Sequence, residues 1–110
     1  MYKLCFFVPE THVELVKEAL FAQGAGRIGD YDCCSWQTLG AGQFKPLQGS
    51  QPFLGNTGKI TQLAEYKVEM VCAEKLIKPV VGALLLAHPY QEPAYEVYKI
   101  LTADDFSDYQ

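Results

Sequence analysis

The hydrophobic pattern of this chain switches between a two-residue repeat and a helical repeat in a fixed order. A two-residue repeat is typical of strands, and apolar spacings of three or four are typical of helices. The pattern predicts strands at 2–8, 31–39, 65–72 and 94–101, and helices at 12–23 and 76–88. With right-handed crossovers, the order β-α-β-β-α-β predicts an α+β, ferredoxin-like split β-α-β fold. Its four-stranded antiparallel sheet carries both helices on one face.

Local signals mark the ends of the two helices. Thr11, with Glu14 three residues later, fits a capping box at the first helix N-terminus. Gly24 can take the left-handed conformation that ends this helix. Pro89 ends the second helix, and the residue before it, His88, is biased towards an extended conformation.

One irregular stretch interrupts the pattern of strands and helices. Residues 40–58 are rich in glycine and proline, and a connection this long inside a compact domain is usually functional or interfacial. We predict one domain over 1–103 that contains this excursion, followed by an acidic tail over 104–110. Phe44 and Phe53 lie in the excursion and need cover from the domain or from a partner.

The charge balance limits the partners that the chain can have. It contains 9 basic and 13 acidic residues, for a net charge of −4. Binding to nucleic acid or to an anionic membrane needs clustered lysines and arginines, and here they are scattered. We therefore predict no nucleic-acid partner and no membrane partner. The N-terminus lacks the pattern of a signal peptide.

Four cysteines, Cys5, Cys33, Cys34 and Cys72, lack the spacing of a structural zinc site. We expect reduced thiols and a cytoplasmic location. In a strand, Cys33 and Cys34 point to opposite faces of the sheet. The pair would then offer only one thiolate to a copper(I) ion on either side.

One face of the predicted sheet has no element of the chain to cover it. Phe7, Cys5 and Trp36 are predicted on this open face, which is a large apolar area for a monomer to expose. We therefore predict a homo-oligomer, either a trimer or a dimer, with a cleft between subunits for a small-molecule ligand. The candidate interface residues are Phe7, Trp36, Phe44 and Phe53.

Five segments, in order, resemble one protein family. They are LCFFVPETHV at 4–13, ALFAQGAGRIG at 19–29, GAGQFKPL at 40–47, PFLG at 52–55 and AHPYQEPAY at 87–95. They are similar to the insert domain of Nif-three-like proteins of the YqfO type, here as a free-standing chain. The resemblance covers roughly residues 3–100.

The resemblance implies a ferredoxin-like domain similar to the CutA and PII regulators, with trimer-type assembly on the open sheet face. In full-length family members the two-metal site belongs to the flanking domains, so the metal ligands and the hydrolase activity cannot be carried over to this chain. Gln91 stands where the family usually has an acidic residue, which weakens a charge-based role for the adjacent turn.

The segment from His88 to Pro93 is the most distinctive short motif. In one interpretation His88, Tyr90 and Glu92 bind a ligand, or His88 and Glu92 bind a divalent metal such as zinc or copper. In the other, two prolines form a rigid turn that stops a helix and aims the last strand. Sequence alone leaves both open.

The glycines at 24–29 resemble a phosphate loop, but they follow a helix and open a strand, the reverse of a dinucleotide-binding loop. A helix-ending turn accounts for them, and Arg27 remains a candidate anion contact. His12 is expected to be solvated in the first helical turn.

These features favour a non-catalytic, oligomeric binding, regulatory or assembly module with no cofactor. The alternative is a copper- or zinc-binding protein that uses His88 and Glu92. An enzyme would need a nucleophile or base poised by its neighbours, and the sequence contains no cluster that demands one. A pure interaction partner for larger proteins is a further alternative.

Overall fold

The computed structural model describes residues 1–106 and contains four strands and two helices. The strands are β1 (Tyr2–Pro9), β2 (Trp36–Phe44), β3 (Thr61–Cys72) and β4 (Tyr95–Lys99), and the helices are α1 (Val13–Ala22) and α2 (Ile77–Ala87). Short 3-10 turns span Glu74–Leu76 and Ala103–Asp105.

The sheet is antiparallel throughout and has the strand order β2-β3-β1-β4. Both β-α-β crossovers place their helix on the same face, so the predicted split β-α-β fold is confirmed. The register pairs Phe6 of β1 with Val68 of β3, and Leu4 with Met70, which brings the inward-facing side chains of the two central strands together.

The core lies between the central strands and the two helices. Leu4, Phe6 and Val8 of β1 are fully buried, as predicted for one face of a central strand. Helix α1 adds Val13, Val16 and Leu20, whose spacings of three and four place them on one face, and α2 adds Val80 and Leu84.

The predictions made for Gly24, His88 and Pro89 at the helix ends agree with the structure, and the one made for Thr11 does not. Gly24 has φ +97°, a backbone conformation that favours glycine, and a Cβ there would meet only the mobile end of the Leu76 side chain. His88 is extended, at φ −68° and ψ 135°, as expected before a proline. The capping box at Thr11 was wrong. The N-cap is His12, and the Thr11 hydroxyl instead bonds His12 Nδ1 at 2.8 Å.

The second strand begins later than predicted. Residues 31–35 form a bend, in which Cys33 has φ +57° and the Asp32 carboxylate accepts the Cys33 N–H at 2.8 Å. This local side-chain bond competes with a ladder and holds the chain out of the sheet. The alternating-face argument for Cys33 and Cys34 therefore does not apply, because neither residue lies in a strand.

Residues 40–44 belong to β2, so the irregular segment is shorter than predicted and runs over 45–60. Gly40 and Gly42 have low strand propensity, so the sequence predicts a loop for this half of β2. Pairing with β3 gives it an extended conformation instead. Of the predicted acidic tail, 104–106 are described, and Asp105 accepts the Thr102 N–H at 2.8 Å. Residues 107–110 lie outside the described part.

The open sheet face is not the apolar surface that the sequence predicted. Lys67 and Glu69 of β3 lie on it, and Lys3 of β1 pairs with Glu69 at 3.3 Å. Cys5, at the centre, is only 2% exposed. Exposed aromatic rings remain towards both edges, where Trp36 and Tyr98 are 69% and 51% exposed.

Within residues 1–106, the helices are too short or too polar to cross a membrane.

Candidate functional site

A cleft of about 230 Å³ lies where β1, β2 and β3 meet the irregular segment and the turn after α2. Its apolar wall consists of the side chains of Phe7, Phe44 and Phe53, with Pro46, Pro52 and Leu54 beside them. The polar groups that line it include Glu65 and the Tyr90 hydroxyl. An apolar concavity with a few convergent polar groups is the usual form of a small-molecule site.

The irregular segment 45–60 folds over the end of the sheet and forms one side of the cleft. The Gly58 N–H donates to the Pro46 carbonyl at 2.7 Å, which closes the segment on itself. The Gln51 N–H donates to Gln91 Oε1 at 3.0 Å and ties the segment to the turn after α2.

Tyr90 and Glu65 form the polar centre of the cleft. The Tyr90 hydroxyl donates to Glu65 Oε2 at 2.7 Å. Burial, and then the hydrogen bond to Glu65, raises the pKa of Tyr90 well above its ordinary value. The phenol therefore stays protonated at neutral pH and acts as a donor to the carboxylate.

Glu65 occupies this position because Gly42 has no side chain. A Cβ on Gly42 would collide with the Glu65 carboxylate, which lies across this part of β2. Gly40, two residues earlier on the same face, has open space at its Cβ position. Of these two glycines, only Gly42 is required for the arrangement.

His88 holds in position the turn that carries Tyr90. Its ring is 5% exposed, with Nε2 2.7 Å from the Phe7 carbonyl oxygen, and the Tyr90 N–H donates to Nδ1 at 3.1 Å. The Phe7 carbonyl can only accept, so Nε2 carries a proton. Nδ1 accepts the Tyr90 N–H, so it carries none and the ring is neutral. Burial lowers the pKa of His88, against smaller opposing effects of Phe7 and Glu65. A metal ion at either nitrogen would displace a main-chain partner.

The structure brings most of the sequence-predicted site residues together. Phe7, Phe44, Phe53, Tyr90 and Glu92 all line the cleft. Phe7 also belongs to the open sheet face, so the cleft and that face are continuous.

Two predicted residues lie elsewhere. Arg27 is in the loop after α1, where its Nε donates to the Gly29 carbonyl at 2.8 Å. Trp36 starts β2 on the open face, and its indole N–H donates to the Thr38 hydroxyl at 3.2 Å. Neither side chain lines the cleft.

Glu65, Gly42 and His12 contribute to the cleft although the sequence did not predict them there. The His12 ring packs edge-on against Phe53 at 5.3 Å between centroids, so it is not simply solvated. The importance of Glu65 and Gly42 becomes visible only with the register, which pairs Gly40 with Glu65 and sets Gly42 diagonally beside it.

The described cysteines are free thiols, two of them buried. Burial raises the pKa of both Cys5 and Cys72. Among residues 1–106, no group of three or more His, Cys, Asp or Glu side chains is placed to hold a metal ion.

No protein-family model matches the chain. It is 44% identical over 100 residues to the GTP cyclohydrolase 1 type 2 homolog of Halalkalibacterium halodurans, a match that covers 91% of this chain and 27% of that protein. The chain spans about a quarter of the length of the curated relatives it matches.

In structure, the chain is similar to a Bacillus cereus protein related to NIF3, with a TM-score of 0.75 and 38% identity over 88% of this chain and 24% of that one. CutA1 from Pyrococcus horikoshii is similar in fold, with a TM-score of 0.67 and 17% identity over 99% of this chain and 90% of its own. These relatives agree with a Nif-three-like, CutA-like domain. The YqfO-type assignment stays a prediction.

The variant Gly42→Ala is expected to displace the Glu65 carboxylate and break its hydrogen bond to Tyr90. Because the clash is with the end of a flexible side chain, the free energy of unfolding should change by about 1 kcal/mol or less. The NMR resonances of the Tyr90 ring at neutral pH should shift, because its hydroxyl loses the Glu65 carboxylate as a partner. Gly40→Ala is the matched control and should leave these resonances unchanged. An unaltered Tyr90 in Gly42→Ala would contradict this account.

The neutral state of His88 predicts a pH dependence of stability. Its folded pKa lies below the unfolded value of 6.5, so the unfolded chain binds the proton more readily. Stability is fully present above that pH and falls as the pH drops through it. Urea unfolding from about pH 8 to about pH 5 should show this loss in the unmodified protein and in His12→Gln. His88→Gln should flatten it, and an equal slope in all three proteins would refute the assignment.

Proposed function

We propose that this chain is a non-catalytic binding module that holds a small molecule in the cleft beside Tyr90 and works as a homo-oligomer. The observation that carries the proposal is the convergence of the cleft. Aromatic rings from β1, β2 and the irregular segment meet a hydrogen-bonded phenol from the turn after α2 and a carboxylate from β3. Convergence of distant segments on an apolar concavity is characteristic of binding sites.

The state of the polar groups favours binding over catalysis. Tyr90 is held protonated and its proton is already donated to Glu65. His88 is neutral, and both its nitrogens are engaged by the main chain. A general base must be free to accept a proton from substrate, and neither Tyr90 nor His88 is free to do so.

The names of the relatives direct attention to GTP, but they describe proteins of which this chain matches about a quarter. The cleft carries Glu65 and Glu92, and none of the described residues that line it is a lysine or arginine. A triphosphate here would lie against two carboxylates without a compensating cation, which is electrostatically unfavourable. We therefore propose that the cleft does not bind GTP.

Homo-oligomerisation is supported by the composition of the open sheet face. The face carries both signs of charge, with Lys3 and Lys67 beside Glu69 and Glu96, and exposed aromatic rings at Trp36 and Tyr98 lie towards its edges. Mixed charge with aromatic residues suits a second copy of the same surface. Because the cleft opens onto this face at Phe7, a docked copy would border the ligand.

The alternative of a zinc or copper site at His88 and Glu92 is less favoured by the geometry. Coordination at His88 requires the loss of its bond to the Phe7 carbonyl or to the Tyr90 N–H. The prediction of a cytoplasmic location stays a prediction.

Ligand binding can be tested by amide NMR with a library of small neutral, cationic and anionic compounds. Binders are expected to shift resonances in segments 43–54 and 90–94, which line the cleft. Phe53→Ala should weaken these binders, whereas Phe106→Ala should not, although the two rings are similarly exposed, at 47% and 53%. Shifts that occur only outside the cleft, or an equal effect of both variants, would refute the proposal.

The oligomer can be tested by light scattering at micromolar concentration. The unmodified protein is expected to have two or three times the mass of one chain. Trp36→Lys should lower the measured mass towards that of a monomer, because it places an unpaired charge in the interface. Leu86→Lys is the control, because Leu86 is 89% exposed on α2, in the helical layer. A monomeric unmodified protein, or equal dissociation by both variants, would contradict the open face as the interface.

A further inference from the structure

The aromatic rings of the cleft meet at angles instead of stacking flat. Phe44 and Tyr90 have centroids 5.8 Å apart at 56°, and Phe53 and Tyr90 have centroids 6.4 Å apart at 47°. Rings inclined in this way contact one another in a tilted arrangement, between stacked and edge to face. All three line the cleft, so a bound group would lie against aromatic rings.

The charge of the cleft has one sign. Glu65 and Glu92 are its titratable carboxylates, and no lysine or arginine of the described chain lines it. The nearest histidines are engaged elsewhere, because His12 packs against the outer side of the site at Phe53 and His88 is bonded to the main chain. A bound group therefore experiences carboxylates and aromatic rings together.

Glu65 retains an oxygen that can receive a ligand. Its Oε2 accepts the Tyr90 hydroxyl, and within residues 1–106 its Oε1, which lies against Gly42, has no hydrogen-bond donor. Tyr90 holds the carboxylate in place without neutralising it, because the phenol keeps its own proton. The carboxylate is thus oriented before any ligand arrives.

From these observations we infer that the ligand of the cleft is a small organic cation, an ammonium group carried on an apolar body. An ammonium group gains from both the faces of aromatic rings and a carboxylate. The apolar body would lie against Phe7, Phe44 and the prolines of the irregular segment. A cleft of about 230 Å³ is below the usual range of about 300–1,000 Å³ for larger ligands, so the ligand is smaller than a nucleotide. The inference rests on the proposed function and names the class of its ligand.

Pairs of compounds that share a shape but differ in charge test this inference. Choline is compared with 3,3-dimethylbutanol, and benzylamine with benzyl alcohol, by amide NMR titration at neutral pH on the full chain. Each cation should bind about fivefold or more tightly than its neutral partner and shift Tyr90 and Phe53. Inorganic phosphate and GTP should leave these resonances unchanged.

The variant Glu65→Gln keeps an acceptor for Tyr90 and removes the charge, so the preference for cations should fall by about twofold or more, and the part that remains is due to the aromatic rings and Glu92. Glu18→Gln is the matched control, since it removes one exposed carboxylate on α1 and should keep the preference. The comparison in the unmodified protein stands even if Glu65→Gln fails to fold.

The two proposals fail in different ways. If a neutral or anionic probe binds at Tyr90 and Phe53 as tightly as the cations, the cation inference is wrong while a ligand-binding cleft remains. If the preference for cations is as large in Glu65→Gln as in the unmodified protein, the role of Glu65 is wrong. If no probe shifts any cleft residue, both the inference and the proposed function are overturned.

Discussion

One buried imidazole ring joins the turn after α2 to the central strand β1. His88 spans the Phe7 carbonyl and the Tyr90 N–H, and the Phe7 N–H in turn donates to the Ala94 carbonyl at 3.1 Å. Both ends of the turn are therefore bonded to the main chain of the same residue. A buried polar group that loses its partner costs about 1–3 kcal/mol, so the turn is strongly held in this one position. Everything that the turn presents, above all Tyr90, follows from that attachment.

The cleft follows from this attachment and from the alternation of side chains along the strands. The carbonyl of Phe7 holds the turn, while its side chain points to the open face and lines the cleft. Glu65 lies on the same face of the sheet, within reach of Tyr90. Gly42 leaves the space that the carboxylate occupies. A site of this kind is specified jointly by a register and by the absence of one methyl group.

The sequence predicts what depends on local periodicity and predicts poorly what depends on register. The two-residue repeat of β1 correctly indicates the buried Leu4 and Phe6, and Pro89 correctly predicts an extended His88. Gly40 and Gly42 look like loop residues, because their place in β2 is determined by pairing with β3 and not by propensity.

The polarity of the open face was predictable in principle. Lys67 and Glu69 already mark the outer face of β3 as wet, and antiparallel pairing puts them beside Phe7 and Cys5 of β1. Considered alone, β1 predicts an apolar surface, because Cys5 and Phe7 both lie on its outer face. Glu65 could not be identified in this way, because its role requires the side-chain positions of Tyr90 and Gly42 as well as the pairing.

The proposed assembly and the proposed ligand are physically coupled through Phe7 and Glu65, which border both the cleft and the open face. A second copy on that face would remove water from around Glu65 and strengthen its attraction for a cation. By linkage, a cation that binds the oligomer more tightly than the monomer must favour the oligomer to the same extent. The ligand would then act by shifting the equilibrium between monomer and oligomer. This response requires no conformational change within the chain.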